Sequence, residues 1–201
     1  MRYFQQLPKI SYSDFNGNQI TLTNLLIRVD VIPELLKDPL LYYSYDVQEG
    51  DTPEIVADKY YGSTDDFWLV MFSNQALDPQ WDWPLSYLNF SKYIVDKYGS
   101  IANAQSQIDH YALTVVTTDV YSGQTNTETT IVDYNTYLNT QPSNFTGTLP
   151  NGQQVSIQTT PIAVSSYDTA LATNEAKRSI KLIDVKYAGQ IKAQLVNLLS
   201  I

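Results

Sequence analysis

Residues 45–62 read YDVQEGDTPEIVADKYYG, and the first part of this stretch has the pattern of a short strand that ends in a turn. Tyr45 and Val47 alternate with polar residues, which is the periodicity of a half-buried strand. Gly50 lies between two acidic residues, and glycine accepts the positive φ that a tight turn requires. The sequence therefore predicts a strand followed by a turn at Gly50.

The rest of the stretch predicts a helix with defined ends. Thr52 or Asp51 can cap the helix N-terminus, and Pro53 suits the first helical position because a backbone N–H there would have no partner. Glu54 complements the positive end of the helix dipole, and Gly62 supplies a stop signal. The apolar and amphipathic residues at helical spacing are Ile55, Val56, Lys59 and Tyr60.

A second helix is predicted over residues 64–74, with Asp65 and Asp66 in its first turn. Its apolar residues are Phe67, Trp68, Val70, Met71 and Phe72. We expect Trp68 to lie in the core and the chain to return near Leu85. The order of strand, helix, helix and returning strand resembles that of LysM modules. This resemblance implies a compact βααβ fold.

Further matches to one family lie on both sides of this module. They are Tyr3-Phe4, Pro8-Lys9-Ile10, Trp68, Asn74, Asp78-Pro79, Asp82-Trp83-Pro84-Leu85, Lys97-Tyr98-Gly99 and Asn174-Glu175-Ala176-Lys177-Arg178. With these residues the chain resembles the LysM-bearing baseplate wedge protein of T-even-like contractile-tailed bacteriophages. The resemblance is close over the N-terminal half and looser over the C-terminal tail.

The resemblance implies a function in assembly. The chain is expected to be a structural subunit, not an enzyme, that joins wedge components and neighbouring wedges by protein–protein contacts. Its implied partners are other baseplate wedge proteins and the sheath-initiating ring protein, with several copies of the chain in each baseplate. The implied location is the virion tail baseplate, after assembly in the host cytoplasm. No cofactor is implied.

Composition is compatible with this role and disfavours others. The 201 residues include 12 basic and 21 acidic side chains, giving a formal net charge of −9, so we expect no nucleic-acid partner. The chain has no cysteine, which excludes disulfides and thiolate metal sites. The first residues lack the apolar core of a signal peptide, and no run of about eighteen apolar residues predicts a membrane span. We therefore expect a protein that is made and used in a cytoplasm.

Composition also divides the chain into four regions of an α+β fold. Residues 1–40 contain three prolines, which predicts an N-terminal arm with one helix near residues 23–36. Residues 41–99 hold the LysM-like module and a following helix. Residues 100–165 are rich in Thr, Ser, Asn and Gln and contain no Lys or Arg, which predicts a β-rich insertion. Residues 166–201 predict a C-terminal tail of helix, strand and helix.

The insertion and the tail contain patterns of specific elements. The predictions are strands near 111–116, 129–134 and 154–159, a helix over 167–178, a strand over 179–184 and a helix over 187–199. In the last helix, one apolar stripe consists of Tyr187, Ile191, Leu195 and Leu198. Isolated helices of this length are marginal in water, so the stripe must be buried. Packing on a partner and packing on the chain's own module both remain open.

Trp81 and Trp83 are the second candidate for a partner interface. Pro84 restricts Trp83 to extended backbone and Pro79 stiffens the loop, so a large aromatic side chain can be held in a fixed direction. Rigid aromatic anchors are typical of protein interfaces. Packing of Trp83 on its own module is the alternative.

Patterns that indicate catalysis are few. His110 is the only histidine, no nucleophile-elbow motif is present, and no pair of carboxylates is distinguished by its spacing. We therefore expect no enzyme, no cofactor and no metal site. The alternative function is that of a LysM module that binds peptidoglycan or chitin, through a groove between residues 49–52 and 74–82. A cell-wall hydrolase is a more remote third hypothesis.

Overall fold

A computed structural model describes residues 2–27, Val29 and residues 39–199. In chain order, its strands and helices are β1 (Lys9–Ser13), β2 (Gln19–Thr23), β3 (Tyr42–Asp46), α1 (Pro53–Tyr61), α2 (Phe67–Ser73), α3 (Tyr87–Tyr98), α4 (Ile101–Ser106), β4 (Ile108–Asp119), β5 (Thr125–Val132), α5 (Tyr134–Asn139), β6 (Ser143–Thr148), β7 (Gln154–Ser165), α6 (Ser166–Ala176), β8 (Ser179–Ile183) and α7 (Val185–Leu199). These elements confirm the α+β class. The helix predicted near residues 23–36 falls in large part outside the described residues.

The chain forms two compact units. Unit 1 comprises Met1–Tyr87 and Asn174–Ile201, and unit 2 comprises Leu88–Thr173. Unit 1 is therefore assembled from two separate stretches of sequence, between which unit 2 is inserted.

In unit 1, β3 and β8 form an antiparallel pair, with Tyr42 opposite Ile183 and Asp46 opposite Ser179. Helices α1 and α2 follow β3, so the order is βααβ, but the closing strand comes from the end of the chain. The prediction of a return near Leu85 was wrong. Leu85 follows Pro84, which has no N–H to donate to a ladder, whereas β8 buries alternate apolar residues.

Helix α2 separates two apolar cores in unit 1. Val70 and Met71 belong to the first core, whose other members are Val47, Val56, Ala57, Trp83, Ile180 and Leu182. Trp68 and Leu69 belong to the second core, whose other members are Leu7, Ile183, Ala188, Leu195 and Leu199. A helix that is buried on several sides is apolar nearly all round, as α2 is. The prediction that Trp68 lies in the core is confirmed.

The ends of α1 follow from the residues there. The Thr52 hydroxyl accepts a hydrogen bond from the Ile55 N–H at 3.4 Å, and Pro53 occupies the first helical position. Gly62 ends the helix with a φ of 73°, and its N–H donates to the Asp58 carbonyl at 3.0 Å. Both predicted ends of this helix are confirmed.

Unit 2 contains a four-stranded antiparallel sheet in the order β5-β4-β7-β6. The three predicted strands are present, and the two central strands, β4 and β7, are 12 residues long. Strand β6 and helices α4 and α5 were not predicted. The buried side chains Phe90, Ile94, Ala104 and Ala112 come from α3, α4 and β4, and the Phe90 ring meets the Tyr167 ring at a centroid distance of 5.7 Å.

Strands β1 and β2 form a two-stranded hairpin, which we call the arm hairpin. The Asp14 carboxylate shapes its turn by accepting hydrogen bonds from the Asn16 and Asn18 N–H groups at 2.9 and 2.8 Å. Paired positions of the two strands place four apolar side chains on one face, namely Ile10, Tyr12, Ile20 and Leu22. They are 42–50% exposed.

Candidate partner-binding surfaces

Asp51 connects the turn after β3 to helix α1. Its carboxylate accepts hydrogen bonds from the Lys59 ammonium at 2.6 Å, the Tyr45 hydroxyl at 2.7 Å and the Gln48 N–H at 3.1 Å. Its carbonyl accepts a hydrogen bond from the Trp83 indole N–H at 2.8 Å. The sequence left the cap of α1 open between Thr52 and Asp51. Thr52 is the cap, and Asp51 instead holds four surrounding groups together.

The electrostatics of Asp51 follow from these contacts. Burial alone disfavours its charged form, but hydrogen bonds from Lys59 and Tyr45 outweigh that effect and hold the pKa of Asp51 below its usual value. The same contacts raise the pKa of Lys59, since they favour its charged form. For Tyr45, burial and the neighbouring carboxylate both raise the pKa. The polar groups around Asp51 therefore form hydrogen bonds with one another within the chain.

The segment 174–178, noted in the sequence for its family resemblance, fastens the loops of unit 1. Asn174 pairs with the backbone of Leu85, accepting from its N–H at 2.7 Å and donating to its carbonyl at 3.1 Å. Lys177 donates to the carbonyl of Trp81. An amide side chain here replaces the strand partner that Leu85 lacks.

Arg178 completes this fastening on the loop after β3. Its guanidinium donates to the Val47 carbonyl at 3.3 Å and pairs with Glu175 at 2.6 Å and with Glu49 at 3.3 Å. The hydrogen bond that Arg178 donates to the Glu175 carboxylate raises the pKa of Arg178, so its positive charge is secured. Glu49 also accepts from the Tyr87 N–H at 2.7 Å.

Asn74 has a similar structural role at the end of α2. Its side chain accepts from the Lys181 N–H and donates to the Lys181 carbonyl, both at 2.8 Å. The amide thus pairs with β8 as a neighbouring strand would. Asn74 and Asn174 therefore share one role, in which an amide side chain pairs with the backbone of a residue distant in sequence.

The loop of residues 75–83 contains both predicted interface tryptophans, which differ in exposure. Trp83 is 7% exposed and lies in the first core, which corresponds to the alternative of packing on its own module. Trp81 is 53% exposed and Leu77 is 83% exposed. The Asp82 carboxylate accepts from the Leu77 and Asp78 N–H groups, each at 2.9 Å, so the loop presents these two side chains from a hydrogen-bonded frame.

Within unit 1, helix α7 packs into the second core with a stripe shifted from the predicted one. Leu195 is 3% exposed in the second core, and Tyr187 and Ile191 pack half-buried against that core. Leu198 is 55% exposed, and Leu199 takes the buried position in its place. Lys192 pairs with the buried Asp66 carboxylate and so ties the helix to the segment before α2. The sequence left open whether this stripe packs on a partner or on the chain's own module. In the structure, Tyr187, Ile191 and Leu195 pack in the chain's own core.

Two of the six predicted interface residues, Trp81 and Leu198, therefore face outward. Leu77 and the apolar face of the arm hairpin add further exposed apolar surface to unit 1. Sequence reasoning missed the arm hairpin, although alternation in KISYS and QITLT was the available signal.

His110 lies in unit 2 next to Asp109. Its Nδ1 is 2.8 Å from the Asp109 carboxylate, and that hydrogen bond lowers the pKa of Asp109. The Thr169 hydroxyl donates to Asp109 at 3.2 Å, not to the imidazole, so these three groups do not form a hydroxyl–imidazole–carboxylate relay. His110 is thus a hydrogen-bonded residue near the surface.

The described part of the chain contains neither a candidate metal cluster nor a membrane-spanning helix. Residues 2–27, 29 and 39–199 bring together no group of three or more His, Cys, Asp or Glu side chains suited to a metal ion. None of the helices among the described residues is both long and apolar enough to cross a membrane.

Comparison with known proteins identifies the family. No curated protein matches the chain. A family model described as Base plate wedge protein 53 matches residues 15–198, a span that runs from the arm hairpin through both units to the last turn of α7. The match covers far more than half of the chain and confirms the predicted class of phage baseplate wedge protein. The chain belongs to the phage base plate wedge protein 53 family.

Proposed function

We propose that this chain joins wedge components, and neighbouring wedges, of a phage tail baseplate by protein–protein contacts and catalyses no reaction. The observation that carries the proposal is the arm hairpin. A two-stranded hairpin is at best marginally stable in water, and this one leaves the apolar face of both strands exposed. Leu7, at the base of the hairpin, is anchored in the second core. A partner that covers the apolar face would stabilise the hairpin.

The same proposal includes the type of module, the type of phage tail, the partners and the contact residues. The βααβ order of unit 1 and its antiparallel β3–β8 pair support a LysM-like module. The resemblance in the flanks supports a T-even-like contractile tail, several copies in each baseplate, and partners that include the sheath-initiating ring protein. Trp81 and Leu198 are proposed as further contact residues, since both are exposed apolar side chains on ordered elements.

The contacts around Asp51 support protein binding over glycan binding. In the first loop of the groove expected of a LysM module, Asp51 and Glu49 are already engaged by neighbouring groups. Few polar groups of the first loop remain for sugar hydroxyls. Calorimetry with N-acetylglucosamine oligomers should show no binding tighter than about millimolar, which corresponds to roughly −4 kcal/mol. Micromolar binding would favour the carbohydrate hypothesis.

Reconstitution tests the proposed role. Baseplate wedges are purified from cells infected with a phage that lacks this chain, and the purified chain is added before sedimentation. The parent chain should co-sediment with the wedges. Leu22→Asp, on the apolar face of the arm hairpin, should lower the affinity by about tenfold or more, equivalent to about 1.4 kcal/mol. The control is Thr21→Asp, a neighbouring change on the polar face, which should bind like the parent.

Two results would contradict the proposal. The first is a parent chain that fails to bind any wedge intermediate. The second is equal binding by Leu22→Asp and Thr21→Asp, which would remove the arm hairpin from the interface.

A further inference from the structure

Strand β5 is an open edge of the sheet in unit 2. The sheet order places β5 outermost, and β4 is the only strand with which it pairs within the part of the chain that the structure describes. Seven of its eight residues are exposed, with only Val132 half-buried. The outer row of backbone N–H and C=O groups on such a strand is available to pair with an added strand.

Apart from the single charge of Glu128, this edge lacks the features that commonly protect an edge strand. It contains no proline and no lysine, and it pairs with β4 from Thr125 to Val132 without a register shift. The opposite edge, β6, is shorter and lies between Pro142 and Pro150. It also contains Gly147, where an added Cβ would collide with the Phe145 ring. Of the two edges, β5 is therefore the one suited to strand addition.

The charge on β5 indicates what kind of strand would fit. Glu128 is the only charged residue of β5, and its carboxylate accepts a hydrogen bond from the Asn126 side chain at 3.1 Å. The sequence from residue 98 to residue 176 contains no Lys or Arg. Glu128 lies opposite Val115, and the half-buried Val115 and Leu113 lie on the same face of β4. A cationic side chain on an added strand could thus pair with Glu128 and lay its apolar stem along the same face of β5.

We propose that β5 is the docking edge for an extended, Lys- or Arg-bearing segment of another baseplate protein. The added strand pairs with β5 through backbone hydrogen bonds, and its cation lies opposite Glu128. The proposal rests on the proposed function, because it names the surface and the chemistry of one baseplate contact.

A second copy of the chain fits this edge less well. In the antiparallel registers that pair most of β5 with β5, two Glu128 side chains lie directly opposite or on the adjacent diagonal, and like charges there are destabilising. The formal net charge of −9 on each copy adds to the repulsion. Charge complementarity therefore selects a cationic partner from another protein.

Site-specific photocrosslinking in reconstituted wedges identifies the occupant. A photoreactive residue replaces Thr127 on β5 or, as the control, Thr146 on β6, in the full-length chain. After addition to wedges that lack the chain and illumination, the Thr127 position should crosslink to a segment of another wedge protein that carries Lys or Arg, and Thr146 should not. Crosslinks from Thr127 to a second copy, or none in wedges that contain the chain, would overturn the proposal.

A charge exchange tests the pairing itself. Glu128→Lys should weaken wedge binding by tenfold or more, and Glu128→Gln should weaken it less. Changing the crosslinked partner's cation to Glu should restore binding of the Glu128→Lys chain. Asp58→Lys is the control, since it makes the same change of charge at an exposed position of α1. Thermal melts of each variant show whether the fold is retained, and Glu128→Gln serves if Glu128→Lys does not fold.

The two levels of the proposal fail in different ways. If the parent chain does not bind wedges, the proposed function is wrong. If the parent binds and folded Glu128→Lys binds equally well, the chain is a wedge subunit but β5 is not the docking edge.

Discussion

Asp51 is the residue on which the turn between β3 and α1 depends most. Replacing it with Asn removes the ion pair with Lys59 and weakens the hydrogen bond from Tyr45. We expect Asp51→Asn to lower the free energy of unfolding by about 1–3 kcal/mol at pH 7. Asp58→Asn, at an exposed position of the following helix α1, is the control and should alter stability by less than about 0.5 kcal/mol.

The difference in unfolding free energy between the parent and Asp51→Asn should depend on pH with a defined sign. The pKa of Asp51 is lowered in the folded protein, so its carboxylate contributes stability above its unfolded pKa, about 3.9. That contribution is lost as the pH falls through the lowered folded pKa. Chemical denaturation should therefore show that the parent is more stable than Asp51→Asn at pH 7 and that this difference in stability disappears in acid. A difference that persists unchanged at pH 2 would contradict the assignment.

Trp68 and Trp81 provide a matched pair of tryptophans. Trp68 is buried and packs against the rings of Tyr3 and Phe72, with centroid distances of 5.7 and 6.2 Å. We expect Trp68→Ala to lower the free energy of unfolding by about 3–5 kcal/mol. Trp81→Ala, at an exposed position, should change it little.

Trp68→Phe refines this test. Among the described residues, the buried Trp68 indole N–H has no hydrogen-bond partner, so phenylalanine removes an unsatisfied donor while keeping an aromatic ring. Its cost should stay below about 1.5 kcal/mol. Denaturant unfolding measures all three variants, and a Trp68→Ala protein as stable as the parent would place Trp68 outside the core.

Single residues also show how far the sequence can be interpreted. The cap and stop of α1 were predictable because Thr52 and Gly62 act on neighbours along the chain. The role of Asn174 was not, because its partner Leu85 is distant in sequence and an asparagine carries no signal for that contact. The sequence indicated only that the segment 174–178 resembles a family.

Among the elements, helix α7 gives the clearest contrast between buried and exposed positions. We expect Leu195→Asp to destabilise the isolated chain strongly, because it places an unpaired charge in the second core. Leu198→Asp should leave the melting temperature nearly unchanged, since Leu198 is exposed. Differential scanning calorimetry on the two variants separates them. Equal melting temperatures would indicate that α7 does not pack into the second core of unit 1.

The helices were more predictable than the sheets. Periodicity and caps are local, so α1, α6 and α7 were predicted close to their observed bounds. Strand pairing is not local, and the partner of β3 was therefore misplaced. The short helix α5 was missed because its main signal is the single Asp133 cap, whose carboxylate accepts from Asn135 and Thr136.

At the level of the whole molecule, unit 2 interrupts unit 1 at two points held close together. The Leu85 N–H and the Asn174 side chain are 2.7 Å apart, so the ends left by removing unit 2 are adjacent. We expect a chain in which a short Gly/Ser linker replaces residues 88–173 to fold as unit 1. The entropic cost of closing this loop is small, because the linker is short and the two ends that it joins are already adjacent.

Circular dichroism and a cooperative thermal melt check this excision. The control carries Leu195→Asp in the same shortened chain and should lose the transition. A shortened chain without a cooperative melt would show that unit 1 depends on unit 2 for its fold.

The candidate interface could be predicted only in part, for a physical reason. Sequence periodicity indicates that a residue needs burial but not whether its own chain or a partner provides it. Because of that ambiguity, the predicted set combined two kinds of residue. Trp81 and Leu198 are exposed, whereas Trp83 and Leu195 lie in the cores. The arm hairpin extends the same principle: its alternation indicates a need for burial, and its apolar face remains 42–50% exposed among the described residues.

The most direct test of the proposed role in assembly is a cryo-electron microscopy map of the phage tail baseplate. We expect density for both units of this chain within each wedge, with the arm hairpin and the β5 edge covered by other baseplate proteins. A baseplate map that accounts for every wedge component without either unit would contradict it.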